Sequence, residues 1–409
     1  MGALSNIQVL DLSRVLAGPW CGQILGDLGA KVIKVERPKT GDDTRLWGPP
    51  WMTDNDGEPT KEAAYYQAAN RNKYSVALDI STSEGQAIIH ELIKSTDVVI
   101  ENYKAGSLKK YQLDYESLKK INPRLVYCSI TGFGQTGPRA SEPGYDFIIQ
   151  GMGGLMSVTG ERDDLPGSGP QKVGVAVADL STGLYATIAI QAALLSRTQT
   201  GVGQYIDTAL LDVQVALLAN QGMNYLTSAK IPHRYGNAHA NIVPYQVFNA
   251  ADQAFIIACG NDKQFVALSQ AIDLPELPND PRFNTNANRI INRELMDKLL
   301  SEHFASNTAK HWVGAIHPVG VPVGMINNLQ QAFEEPQVIE RDMLIDMTHP
   351  LKSSLKLIGS PIKLSETPVE YYKAPPVLGE DTDAILSRII TSEQLDELKQ
   401  KGIVQAWQS

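Results

Sequence analysis

One acidic residue at the start of a long apolar run has the right type and place for covalent chemistry. Asp179 follows the text KVGVAVA and precedes an apolar stretch over 180–196 that reads as a helix. Aspartate is a favoured N-cap, because its carboxylate accepts from the first free helical N–H groups. A carboxylate there is equally a nucleophile, kept ionised by the helix N-terminus and able to attack an acyl carbon. Residue type and spacing leave both readings open. Arg14 lies in a loop between a strand and a helix, where a cation meets a substrate carboxylate or forms a surface ion pair. His239 lies in the loop GNAHANIVPYQ, where polar groups serve ligands or stabilise turns. Basic residues gather as Lys104, Lys109, Lys110, Lys119, Lys120 and Arg124, with only Asp114 and Glu116 among them. Such a stretch suits a phosphate-bearing ligand or a solvated helix face. Arg37, Arg71 and Lys73 fall at predicted sheet edges.

The elements that must place these groups follow from apolar patterning. Residues 7–12 read as a strand, and Pro19 opens a helix that stops at Gly29. Residues 31–35 read as the next strand, so the N-terminus is a βαβ unit and the sheet is parallel. Strands are expected at 97–100, 125–130 and 205–210, an extended segment at 172–178, and helices at 83–95, 107–121, 180–196 and 212–226. After 228 a polar loop leads to a hairpin at 247–259. Helices follow at 262–272, 293–305 and 309–315, with a strand at 320–326. The tail carries strand-like pieces at 343–347 and 355–358 and a helix at 392–401 without a capping box. The domains expected are 1–228, 229–330 as a smaller α/β domain, and 331–409 as a returning segment. Ligands of open α/β sheets bind beyond the carboxyl ends of the strands. The first loop, SRVLAGP, has one glycine and lacks the dinucleotide fingerprint, so Glu36 reads as a capping or surface acid.

Composition narrows the class. With 409 residues, 43% of them apolar, there is ample core for two or three domains. The 15 Tyr, 8 Phe and 5 Trp spread along the chain exclude a disordered protein. A net charge of −9 argues against nucleic acid as a partner. The apolar runs are too interrupted to suggest a membrane span, and the first residues lack a secretory pattern. Cys21, Cys128 and Cys259 sit apart among apolar neighbours, which suits a reducing, cytoplasmic compartment. His311 and His317 lack metal-ligand spacing, and no metal is expected.

Several segments taken in order resemble one family. They are LDLSRVLAGPWCGQILGDLGAKVIKVERP, NRNKYSVALDI, VVIENYKAGSLKKYQLDYESLKKINPRLVYCSITGFGQTGP, GYDFIIQGMGGLM, VGVAVADLSTGLYA, TGVGQYIDTALLD, YGNAHANIVPYQ and PPVLGEDTDAIL. This series resembles the class III coenzyme A transferases over nearly the whole chain. Arg45 to Pro50, GVAVADLSTGLYA and HANIVPYQ are most similar to the group that moves CoA from succinyl-CoA to glutarate. The resemblance implies a Rossmann-like large domain, a smaller domain and a homodimer of two interlaced chains. It implies acyl-CoA and carboxylate substrates and no permanently bound cofactor.

The resemblance also implies residue roles. Asp179 matches the family's nucleophile, which forms an aspartyl anhydride and then an aspartyl-CoA thioester. Val15, Leu16 and Ala17 match the loop beside it, with Leu16 where formyl-CoA transferase has glutamine. Arg37 matches a contact of the CoA phosphates. Arg71, Asn72 and Lys73 match a CoA-binding stretch, and Asn102 and Lys110 match further CoA contacts. Gly236, Asn237 and His239 match a mobile loop that covers the intermediates. Asp381 departs from the histidine usual there. Two rival readings are an α-methylacyl-CoA racemase, whose histidine base is replaced here by Tyr145, and a non-catalytic acyl-CoA-binding protein. A hydrolase is a third.

Overall fold

The structure is a computed structural model that describes residues 2–407. The chain divides into two compact units. The larger comprises Met1–Gly153, Val173–Leu217 and Pro336–Ser409, and the smaller Gly154–Lys172 and Leu218–Glu335.

The larger unit is α/β and is built on a seven-stranded sheet. In spatial order its strands are Val404–Gln405, Lys73–Leu78, Lys31–Glu36, Gln8–Asp11, Val98–Glu101, Val126–Thr131 and Tyr205–Ala209. All pairs are parallel except the Val404–Gln405 edge, which the tail adds antiparallel to Lys73–Leu78. The strands are covered on both faces, so they read as nearly continuous apolar runs. Successive side chains alternate between the faces. Leu10, Ile33, Val76 and Val99 pack with helix Ser83–Ile93 and the tail helices. Val9, Val32, Val98 and Cys128 pack with Ala17–Asp27 and Val177–Thr200. Truncating a side chain such as Leu10 would remove about 2–5 kcal/mol of stability.

The smaller unit is a three-stranded antiparallel sheet in the order Val323–Met325, Ala254–Ala258, Tyr245–Asn249, with helices Asp262–Ala271, Arg293–Phe304 and Ala309–Ile316. Its core is aromatic: Phe248, Phe255 and Trp312 each set a ring edge-to-face against Phe304 at 5.0–5.3 Å. The buried Arg289 holds its far side together through Asp262, Val243 O and Phe283 O.

Several boundaries differ from expectation, each for a local reason. The small unit extends beyond 229–330 to include 154–172, 218–228 and 331–335. Arg234 fastens the first of these by donating to Glu161 O and pairing with Asp163. The helix expected at 212–226 is two helices, Leu210–Ala216 and Ala219–Ser228, with Ala219 at φ +41° where the chain leaves one unit for the other. The helix expected at 107–121 is likewise broken, because Gln112 adopts φ +56°. Residues 172–178 form no strand, and helix Val177–Thr200 already starts within them. That helix is long and apolar enough to cross a membrane by length and composition. It lies here as a core helix, with Ala186, Ile190 and Ala193 on the sheet. The last helix has a capping box, Thr391 with Gln394, one residue earlier than the sequence suggested.

Candidate active site

The strand order runs outward in both directions from Gln8–Asp11, so the connections diverge between it and Val98–Glu101. A crevice opens beyond the carboxyl ends of strands at such a point. The structure has a cavity of about 190 Å³ there. Seven of the residues singled out in the sequence line it: Arg14, Val15, Leu16, Ala17, Asn102, Tyr145 and Asp179. They come from the loops after three strands and from the first turn of Val177–Thr200.

Asp179 is not the N-cap. Ala176 holds that position and offers no side-chain bond. The helix start is instead capped from a distance by Asp146, whose Oδ1 accepts from Ala178 N at 2.7 Å and Asp179 N at 3.4 Å. Gln150 Nε2 donates to the other oxygen of Asp146 at 2.6 Å. The carboxylate of Asp179 is thereby left for other work. Among the described residues no donor is hydrogen-bonded to it, and it lines the cavity. Burial, reinforced by the nearby charge of Asp146, pushes it up to about 7. Desolvation makes this acid harder to ionise and its ionised form more basic, as suits a nucleophile used near neutrality.

Close backbone packing shapes the site. A Cβ on Gly183 would lie 2.7 Å from Ala17 O, so this glycine lets the first helix sit against the helix of Asp179. Gly132 and Gly144 both line the cavity, and a Cβ on either would fall 2.5 Å from the other's Cα. Val15 adopts φ +72°, a conformation disfavoured for a β-branched residue and informative beside a candidate nucleophile.

Other predicted residues are placed differently. Arg37 is exposed and lines two adjoining hollows of about 260 and 250 Å³, both shared with Tyr103. Lys110 is exposed, with its ammonium 4.5 Å from the Tyr111 ring, and Tyr111 lines the second hollow. Arg71, Asn72 and Lys73 do not present free groups to a ligand. Arg71 is buried against Asp27 and Ile358 O; Asn72 bonds Asp27 and Glu370 O; Lys73 bonds Asp11, Pro19 O and Asn70. The resemblance matches them to a CoA-binding stretch, and here each side chain satisfies a buried partner. Asn102 spends its amide on the main chain of Arg14. Glu36 is also buried, bonded twice by Arg45 and once by Ser75. Asp381 pairs with Lys373 and accepts from Ser75 N, fastening the tail to the sheet.

Within the smaller unit, Gly236 has φ +60° and packs on Glu161, and Asn237 is exposed. His239 Nδ1 accepts from Asn241 N at 3.0 Å, which leaves Nε2 as the donor. Burial and then Arg293 hold its pKa below the ordinary histidine value, so it is neutral at pH 7. No motif in the sequence marks Tyr65. Burial, then the carboxylates of Asp179 and Asp146, push its phenol upward. Its ring meets Trp47 edge-on at 5.1 Å. Lys104, another wall of the cavity, was visible only as one of a cluster.

The strand order places an unbonded acid in a cavity beyond the carboxyl ends of an α/β sheet, and the chain belongs to CoA-transferase family III, which it matches over residues 4–382. It is a class III CoA-transferase. It is 48% identical over 391 residues to the succinate–glutarate CoA-transferase of Agrobacterium fabrum, covering 96% of each chain. It is 42% identical over 403 residues to human succinyl-CoA:glutarate CoA-transferase, covering 98% of this chain and 90% of that one. A crystal structure of a CAIB/BAIF family protein from Brucella suis superposes with a TM-score of 0.83 at 49% identity, covering 95% of this chain and all of the other.

Proposed function

We propose that this enzyme moves CoA from succinyl-CoA to a dicarboxylate such as glutarate, with Asp179 as the covalent carrier. The observation that carries this reading is the free carboxylate of Asp179 in the cavity, its capping duty taken over by Asp146. A carboxylate oxygen of Asp179 attacks the thioester carbonyl. The C–S bond breaks, and a mixed anhydride and CoA thiolate form. The thiolate then attacks the aspartyl carbonyl, releasing succinate and leaving an aspartyl-CoA thioester. The acceptor carboxylate attacks that thioester and expels the thiolate. The thiolate finally takes the acceptor's acyl carbon and restores the Asp179 carboxylate. Bonds and charge balance at each step, so neither ATP nor a resident cofactor is required. Water must be excluded, since both acyl intermediates hydrolyse.

Arg37, Tyr103 and the two hollows beside them suit the nucleotide phosphates and base of CoA, with Lys110 at the rim. Arg14 suits the distal carboxylate of the acceptor. Its guanidinium is half-exposed and held by Asp43 at 2.6 Å, an ion pair that a substrate carboxylate can replace. His239, being neutral, offers one N–H and less charge. Asp146 is committed to capping and Tyr145 stands where a racemase has its base, so proton abstraction lacks its machinery.

The strand order supports a Rossmann-like reading of the larger unit. A homodimer of interlaced chains is supported by the helix of Asp179, which exposes Leu184, Tyr185, Ile188 and Leu195 along one side. Three buried free thiols fit a cytoplasmic setting. The functional test is an acceptor screen of dicarboxylates with succinyl-CoA as donor, run with the intact protein and with Asp179→Ala. Transfer to glutarate that disappears in the variant supports the reading. Transfer that survives undiminished would falsify it.

A further inference from the structure

The loop joining the first strand to the first helix has no regular structure, yet side chains hold its main chain. Ser13 N–H donates to Asp11 Oδ1 at 2.9 Å, and Ser13 O accepts from Lys34 Nζ at 2.9 Å. Arg14 N–H donates to Asn102 Oδ1 at 2.9 Å, and Arg14 O accepts from Asn102 Nδ2 at 2.6 Å. Val15 N–H donates to Asp42 Oδ1 at 3.2 Å. Behind the loop, Asp42 and Lys34 form an ion pair at 2.9 Å with no side-chain exposure. Burial opposes the charge on Asp42, but Lys34 and Thr44 hold it down at about 2, so the pair stays ionised.

An asparagine amide presents one donor and one acceptor side by side. It therefore matches the N–H and C=O of a single residue, as a neighbouring strand would. Here it grips Arg14, directly before the left-handed Val15. Left alone, a valine leaves that region, because its branched Cβ collides with the backbone. The residues that follow, Leu16 and Ala17, open a helix whose first turn has no side-chain cap, and both line the cavity with Asp179.

We propose that Asn102 is a positioning residue rather than a ligand of CoA: with Lys34 and Asp42 behind it, its amide holds Val15 left-handed and so sets where Leu16 and Ala17 meet the acyl group at Asp179. The proposal rests on Asp179 being the nucleophile. It separates two roles that sequence comparison merges, since a CoA ligand acts on substrate binding and a clamp acts on the geometry of reaction.

The test measures kcat and the KM for succinyl-CoA in Asn102→Ala and Asn102→Asp, each checked for an unchanged melting temperature. The alanine loses both bonds; the aspartate keeps the shape but sets a negative oxygen against Arg14 O. Misplaced reacting groups lower rates by up to about 100-fold, so kcat is expected to fall about 10- to 100-fold in both, with KM little changed. Adding Val15→Gly to Asn102→Ala should restore part of kcat, because glycine occupies the left-handed region without penalty. A rise in KM with kcat preserved, no effect on kcat in either variant, or a double variant no faster than Asn102→Ala overturns the proposal. Those results leave the nucleophile reading standing, whereas full transfer by Asp179→Ala removes that reading itself.

Discussion

The carboxylate of Asp179 is free because another acid has taken the capping duty at its helix start. Asp146 satisfies the helix N-terminus and, at the same time, raises the pKa of its neighbour. The sign of the pH dependence follows. An acid raised to about 7 is protonated and inert below that pH and nucleophilic above it. The free-enzyme profile, kcat/KM against pH, should therefore climb through an acidic limb near 7. Asp146→Asn keeps an oxygen for capping but removes the charge, so the limb should move to lower pH. The shift should be partial, because burial is the larger cause of the raised value. An acidic limb that stays in place in this variant would show that Asp146 does not tune the nucleophile. The sequence marked Asp179 as an N-cap or a nucleophile and could not choose. The residue that relieves Asp179 of capping lies 33 positions away, and no local pattern links the two.

At the scale of elements, the apolar patterning placed five of the seven strands of the sheet to within a few residues and missed Lys73–Leu78, which opens on polar residues, and the two-residue edge Val404–Gln405. Breaks at Gln112 and Ala219 were hidden, since neither is a glycine or proline and both adopt left-handed backbone. Polar residues at strand starts were the harder problem. Arg71, Asn72 and Lys73 match a CoA-binding stretch by resemblance, and in the structure each side chain fills a buried hydrogen-bonding need. Periodicity reports which face of a strand is apolar and is silent on which charges are paired beneath a loop. This difference is measurable. Removing one partner of a buried ion pair strands the other, so Arg71→Ala should lose about 3–5 kcal/mol in urea unfolding. A variant of wild-type stability with only a weakened KM for acyl-CoA would return Arg71 to the binding site.

At the scale of the molecule, the apolar side of Val177–Thr200 is what a single chain leaves unexplained. Leu184, Tyr185, Ile188 and Leu195 are spaced along one helix side and exposed, on the same helix that carries Asp179. Sequence showed an apolar helix but not which of its sides the core would take. Burial of the exposed side by a second chain predicts a particle of twice the 44.6 kDa chain mass in sedimentation equilibrium at micromolar concentration. A stable, active species of single-chain mass would contradict it.

The most direct measurement is chemical capture of the acyl group. The wild-type enzyme is mixed with succinyl-CoA, quenched with hydroxylamine and digested, and the peptides are read by tandem mass spectrometry. The account predicts a hydroxamate on the side chain of Asp179, absent when succinyl-CoA is omitted. A fully active sample in which Asp179 stays unmodified, or in which another residue carries the label, would contradict it.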